Sequence, residues 1–220
     1  MISSILHSRK FLHVSGAPLG SLKTNCFLLH HDKNKMLVID PGEKLDGFIQ
    51  YLKSLDSYIK ELNIFLTHGH WCHIIGISEL CNAYPNAKIY ASMKDMKLFT
   101  SAKYNLSAST EHPFTLEKYL DKFIFVKDGD ILPIKNYETN QNSLSDNSEP
   151  DEDKISVIGI PGHTPGSLAL KVENSEYKLL FTGDSLSEGS VGLCDNILGD
   201  YNLMMKSIMT KLYPLSDEFV

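Results

Sequence analysis

Two spacings of apolar residues alternate along this chain. Runs rich in β-branched and aromatic residues, bounded by Gly, Pro, Asn or Asp, predict strands at residues 24–31, 35–40, 62–66, 88–91, 123–126, 155–160, 167–172 and 178–182. Between these runs the spacing changes to three and four. Leu45, Phe48, Ile49, Leu52 and Leu55 share one helical face, as do Ile74, Ile77 and Leu80, then Met93, Met96 and Phe99, and more loosely Leu203, Ile208 and Leu212. Strands and helices interleaved in this order suit an α/β fold of two sheets packed face to face with helices outside. Most of the residues at helical spacing are then core positions without chemistry.

A chain of 220 residues with 42% hydrophobic positions buries one sizeable core, and no repeat period divides it, so residues 1–220 read as a single domain. The net charge of −6 is local: residues 136–154 carry six acidic residues against Lys154 alone, and the rest of the chain is close to neutral. That segment has too few apolar residues to offset the entropy of ordering it. It is expected to be a disordered insertion in the hairpin between residues 130–134 and the strand at 155–160, which the slow growth of loop-closure entropy tolerates.

With no basic stripe, nucleic acid is excluded as a partner. No apolar stretch reaches the length of a signal peptide or a membrane span, so no membrane partner is expected and the chain reads as cytoplasmic. Cys26, Cys72, Cys81 and Cys194 show no paired spacing, in keeping with reduced thiols.

The chemistry is concentrated at strand ends. Thr67-His68-Gly69-His70-Trp71-Cys72-His73 follows the run 62–66 directly and places three imidazoles within six positions. Neutral imidazole nitrogens bind first-row transition metals well, and a turn leaving a buried strand aims several side chains at one point. Two distant segments end the same way. The run 155–160 passes into Pro161-Gly162-His163-Thr164-Pro165-Gly166-Ser167, a loop whose Gly and Pro residues define its path around one histidine, and Leu179-Leu180-Phe181 stops at Thr182-Gly183-Asp184. Three strands thus deliver His, His and Asp at their ends.

Together with Thr24-Asn25-Cys26-Phe27-Leu28, Val38-Ile39-Asp40-Pro41-Gly42, Gly189-Ser190-Val191-Gly192 and Gly199-Asp200, these segments resemble the metallo-β-lactamase-fold hydrolases, in particular the small glyoxalase II-like (hydroxyacylglutathione hydrolase-like) branch. The resemblance implies an αββα sandwich. It implies His68, His70 and His163 as ligands of a first metal, Asp184 as the carboxylate bridging to a second, and His73 at that second metal. Zinc, as one or two ions, is the implied cofactor, with iron as the alternative.

The chain departs from the family in two places. The family pattern is His-x-His-x-Asp-His, and Cys72 stands where the aspartate belongs. Cys72 is either a softer metal ligand or a small apolar group in a site that has lost its second ion. As a ligand its zinc–sulfur bond of ~2.3 Å, against ~2.0 to ~2.2 Å for zinc–oxygen, replaces the missing side-chain atom only in part. A cysteine also lacks the second oxygen with which the family's aspartate orients the attacking water. Relatives continue beyond the region of Leu212-Tyr213-Pro214 into a strand closed by a Pro-Gly-His-Gly turn; this sequence stops at Val220, with Phe219-Val220 where that strand would begin. The expectation is a sandwich lacking the last strand, its histidine and the closing helix.

Among other candidates, Asp40 either braces a site histidine or caps its turn, and Trp71 lies at the site or its rim. His7, His13, His30, His31 and His112 fall outside any ligand spacing and read as structural or solvent-facing. The resemblance implies metal-assisted hydrolysis of an ester-like carbon in a small molecule, a thioester such as an acylglutathione, without a protein nucleophile. Cys72 and Asp184 are the residues placed closest to that chemistry. Two alternatives stand beside it: a mononuclear-iron persulfide dioxygenase using His68, His163 and Asp184, and a catalytically degenerate fold used for binding.

Overall fold

The computed structural model describes residues 3–6, 13–30, 34–55, 59–133, 154–174, 177–215 and 219. Seven strands, β1 (Ser3–Leu6), β2 (His13–Leu19), β3 (Thr24–His30), β4 (Asn34–Ile39), β5 (Ile59–Phe65), β6 (Lys88–Ala91) and β7 (Phe123–Phe125), lie side by side in chain order in one sheet. Pairing is antiparallel from β1 to β4 and parallel from β4 to β7. The second sheet is antiparallel, in the order β10 (Lys178–Phe181), β9 (Leu168–Glu173), β8 (Lys154–Gly159). A ribbon of β11 (Leu186–Ser187) and β12 (Ser190–Val191) follows. The helices are α1 (Asp46–Ser54), α2 (Trp71–Ile74), α3 (Ile77–Ala83), α4 (Met96–Thr100) and α5 (Tyr201–Ser207), the last continued by a π-helical turn, Ile208–Leu212.

Alternation along the strands builds the layers, because successive side chains point to opposite faces. In the first sheet Leu28, Val38, Ile64 and Ile89 face α1 and α3, packing on Leu45, Phe48, Leu52, Ile77 and Leu80. Their neighbours Leu29, Leu37, Phe65 and Tyr90 face Val157, Leu170, Val172 and Phe181 of the second sheet. On the far side of that sheet Ala169 and Ile158 meet Met204, Ile208 and Leu212. Three apolar seams therefore separate four layers, α/β/β/α, as the patterning implies. No helix among the described residues is long and apolar enough to cross a membrane.

The eight expected strands all occur, within a few residues at their ends. Four further strands were not visible in the pattern. β2 carries Gly16 and Pro18 and is a strand through its pairing with β3; β1 pairs with β2; β11 and β12 are too short for any periodicity. The spacing of Ile74, Ile77 and Leu80 is split at residues 75–76 between α2 and α3, where the Gly76 N–H donates to the Pro41 carbonyl at 3.0 Å instead of continuing the helical ladder. Met93 is 53% exposed rather than core. Phe219, at the expected start of a further strand, is not in one, and its ring lies 5.6 Å from Lys171 Nζ. The expected disordered insertion at 136–154 falls outside the described residues except for Lys154, which opens β8; His7 and His31 also fall outside them.

Candidate metal centre

The ends of β4, β5, β6, β8 and β10 reach one edge of the sandwich. The two sheets are joined there by the Leu168 N–H, which donates to the Thr67 carbonyl at 2.8 Å. From β5 the chain carries His68, His70 and His73, all buried; the loop after β8 carries His163, also buried; and the turn after β10 carries Asp184. Two glycines permit this convergence. Gly183 has φ +52°, and a Cβ on it would lie 2.4 Å from Thr67 Oγ1, so only glycine brings Asp184 so close over the end of β5. A Cβ on Gly166 would lie 2.6 Å from the Asp95 carboxylate.

Five of the six expected site residues come together. One nitrogen each from His68, His70 and His163 lie within 4.8 Å of one another, and so do ligand atoms of His68, His73 and Asp184. The Nδ1 of His70 is 2.9 Å from the Nε2 of His163. Asp184 offers Oδ1 at 3.2 Å from His73 Nε2, and Oδ2 at 3.6 Å from His163 Nε2 and 3.9 Å from His68 Nε2. Cys72 is in neither group of ligand atoms and lines the cleft above the site. Trp71 lines the same cleft.

Proton positions follow from the partners. His163 Nδ1 donates to the Leu193 carbonyl at 2.6 Å, which leaves Nε2 bare in the neutral ring. The Thr67 hydroxyl donates to Asp40 Oδ2 at 2.6 Å, so its oxygen is free to accept from His68 Nδ1 at 3.1 Å, and His68 Nε2 is bare as well. His68 Nε2 is fully buried and has no hydrogen-bond partner. An orphaned buried lone pair costs about 1–3 kcal/mol unless something answers it. A cation shared with His70 Nδ1 and His163 Nε2 would answer it, and the residues therefore fit a metal.

Electrostatics agree with that fit. Burial, then the neighbouring His163 and His73, push His70 down to about 3, and burial with the same cluster lowers His68 well below the usual imidazole range. Burial also lowers His163, against the pull of the Leu193 carbonyl and Asp184. All three are thus in the neutral, metal-binding form at pH 7. Burial opposes ionisation of Asp184, but the hydrogen bond and charge of His73 and the nearby His163 and His70 bring it down to about 2. His73 goes the other way: burial lowers it, but Asp40, Asp184 and the Cys72 thiol raise it well above its ordinary value.

Asp40 is a brace. It has φ +51°, accepts the Thr67 N–H at 2.8 Å through Oδ1, and takes both the Thr67 hydroxyl and His73 Nδ1, at 2.9 Å, on Oδ2. One carboxylate thereby sets the ring orientation of His68 through Thr67 and of His73 directly. A second brace, Asp95, has no sequence motif. Fully buried after β6, it accepts Gly69 N–H at 3.0 Å and the Thr164 hydroxyl at 2.8 Å on Oδ2, and Gly166 N–H at 2.7 Å on Oδ1. It ties the His68–His70 turn to the His163 loop. The one trace of it in the sequence is an acidic residue just beyond a buried strand, a weak signal.

A sequence model of the Metallo-beta-lactamase superfamily matches residues 19–218. Hydroxyacylglutathione hydrolase GloC of Haemophilus influenzae is 30% identical over 210 residues, 95% of this chain and 88% of that protein. Hydroxyacylglutathione hydrolase 1 of Vibrio vulnificus is 28% identical over 198 residues, 88% of this chain and 62% of that protein. Among solved structures, the BLEG-1 B3 metallo-beta-lactamase superposes with a TM-score of 0.73 at 27% identity, covering 92% of this chain and 87% of that one. Four layers, imidazoles gathered at the strand ends and a family match over most of the length agree, and the chain belongs to the metallo-beta-lactamase superfamily, whose members are metal-dependent hydrolases.

Proposed function

We propose that this protein is a metal-dependent hydrolase of thioester or related ester-like substrates, the glyoxalase II-like activity. The observation that carries the reading is the buried, partnerless Nε2 of His68, aimed with His70 and His163 at one point beneath an open cleft. A divalent cation, zinc by the chemistry of a nitrogen-rich donor set, supplies Lewis acidity toward a carbonyl and toward water. His68, His70 and His163 would hold one ion; His73 and Asp184, with Cys72 beside them, are the candidates for a second. Asp184, ionised and 46% exposed, is the residue placed to accept a proton or hold water by a hydrogen bond at the cleft floor. The glutathione thioester of the relatives is the starting substrate. The test is turnover of a model acyl thioester by metal-loaded protein: it should vanish on chelation and in His68→Ala, and robust turnover by metal-stripped protein would refute the reading.

A second reading rests on His163 Nε2 and His68 Nε2 lying 3.6 Å and 3.9 Å from the same Asp184 oxygen, a two-histidine, one-carboxylate set suited to mononuclear iron. Oxygen uptake with glutathione persulfide under iron loading is its measurement. Absence of uptake removes it.

A further inference from the structure

Two cavities meet at Asp184. The wider is a cleft of about 620 Å³ over His70 and His163; the narrower, about 260 Å³, runs beneath Asp184 past His73 and Phe27. The cleft has an apolar wall of Leu22, Trp71, Leu106, Val191 and Leu193, and Leu22 and Leu193 are 60% and 73% exposed. Leu193 is also tied to the site, since its carbonyl holds His163. Apolar side chains left in water at the mouth of a concave site mark where a ligand's apolar part is covered.

The charged residues are the informative ones. Asp184 and Asp195 line the cleft, Asp195 near enough to act on the charge of His163, and Glu188 with Asp40 lines the narrower cavity. No lysine or arginine lines either cavity among the described residues. The chain has a single arginine, Arg9, outside those residues. Lysines do gather in one pocket, where Lys94, Lys127 and Lys211 surround Asp128, but its lining shares no residue with the cleft. A carboxylate-bearing thiol such as glutathione has a carboxylate at each end, one of them beside an ammonium, and is a net anion; protein sites answer such carboxylate ends with Arg or Lys forks. Here such ends would meet aspartate and leucine.

We infer that the cleft takes thioesters of an uncharged, apolar-flanked thiol, of the N-acylcysteamine type, in preference to thioesters of glutathione. This rests on the hydrolase reading only for the reaction: water oxygen adds to the thioester carbonyl carbon, the C–S bond breaks, and the products are a carboxylic acid and a thiol that takes up the proton. Discrimination comes from like-charge repulsion by Asp195, with no lysine or arginine among the described lining residues to offset it, and from the acyl chain lying along the leucine wall.

Trp71, the single tryptophan of the chain, stands in the cleft wall and reports occupancy without turnover. The first measurement is quenching of its fluorescence by two non-hydrolysable thioethers, S-hexyl-N-acetylcysteamine and S-hexylglutathione. The neutral ligand should bind at least about tenfold more tightly, a difference of about 1.4 kcal/mol; equal binding, or tighter binding of S-hexylglutathione, overturns the inference. Asp195 is exposed, so Asp195→Lys should fold, tighten S-hexylglutathione at least about fivefold and leave the neutral ligand within about twofold. A variant that moves both ligands alike also overturns it. The second measurement compares kcat/KM of zinc-loaded protein for S-hexanoyl-N-acetylcysteamine and S-hexanoylglutathione, with the neutral thioester expected to lead by about the same factor. A lead for S-hexanoylglutathione refutes the inference. If neither thioester is cleaved, the hydrolase reading fails, while tighter binding of the neutral thioether still upholds the preference of the cleft.

Discussion

Thr67→Val isolates what a hydroxyl contributes to a metal site it does not itself enter. Valine matches threonine in shape, and Thr67 is buried, so packing against Gly183 is kept and two hydrogen bonds are lost. The bond to Asp40 is charge-assisted and short, at 2.6 Å, and its loss falls on folding, at about 1.5–3 kcal/mol. The bond to His68 is different in kind. With the Thr67 oxygen gone, a proton on His68 Nδ1 is buried without an acceptor, which costs about 1–3 kcal/mol. With that preference for Nδ1 removed, the proton is equally free to sit on Nε2, the atom aimed at the cation, where the nearest acceptor is Asp184 Oδ2 at 3.9 Å. Metal binding must then hold the proton on Nδ1 without that acceptor, so its affinity falls by about 10- to 100-fold.

Competition against a chromophoric chelator reads the affinity, and urea unfolding of the metal-free protein reads the fold. Thr67→Ser, which keeps the hydroxyl, should retain metal affinity within about threefold and serves as the control. If Thr67→Val loses stability but binds metal as tightly as wild type, Thr67 supports the fold alone, and the tautomer reasoning is wrong.

Removing metal with a chelator should lower the thermal midpoint of wild type, since a ligand present at about 1,000 times its Kd stabilises by about 4 kcal/mol, whereas His68→Ala should respond little; differential scanning fluorimetry compares them. Burial pushes Asp95 up to about 6 from 3.8, against the bonds from Thr164, Gly166 and Gly69. A carboxyl raised in the folded state contributes stability that is fully present below about 4 and lost as pH climbs through about 6. Wild type should therefore gain on Asp95→Asn between pH 7.5 and pH 5, by up to about 1.4 kcal/mol per unit, and urea unfolding at the two pH values would show no such gain if the carboxylate were not desolvated. Ile64→Ala, at a fully buried position facing α1 and α3, should cost about 2–5 kcal/mol in urea unfolding; a loss below 1 kcal/mol would mean that this seam collapses around the cavity.

The site was legible where its chemistry is written in side chains close together in the chain. His68, His70 and His73 form one string, and His163 and Asp184 each follow a recognisable buried strand; these five are residues that the fold gathers, whereas Cys72, named with them, is left outside both ligand groups. The parts not legible are of two physical kinds. Leu193 holds His163 with a backbone carbonyl, and a carbonyl has no residue identity to read. Asp95 acts across 69 positions on Thr164 and 26 on Gly69, through contacts created only when β6 is laid beside β5 in parallel. Strands show the same division: β3 to β6 carry their own pattern, whereas β2 depends on its partner.

Cys72 is best understood through this division. In the first ligand group, His68 and His163 are each fixed by a partner on the far nitrogen, Thr67 and the Leu193 carbonyl, so their lone pairs are set before any cation arrives. In the second, His73 is held at 2.9 Å by Asp40 and at 3.2 Å by Asp184, and in the absence of a cation it carries a proton on each side. A cation entering there must displace the proton shared with Asp184, and the thiol of Cys72, which is not among the ligand atoms of that group, supplies no carboxylate charge to help. The two positions therefore differ in what they cost to fill: the first answers an orphaned lone pair and gives up a hydrogen bond between two neutral rings, His70 and His163, whereas the second breaks an existing ion pair. Stepwise titration with zinc should follow that order, with His68, His70 and His163 occupied before His73 and Asp184.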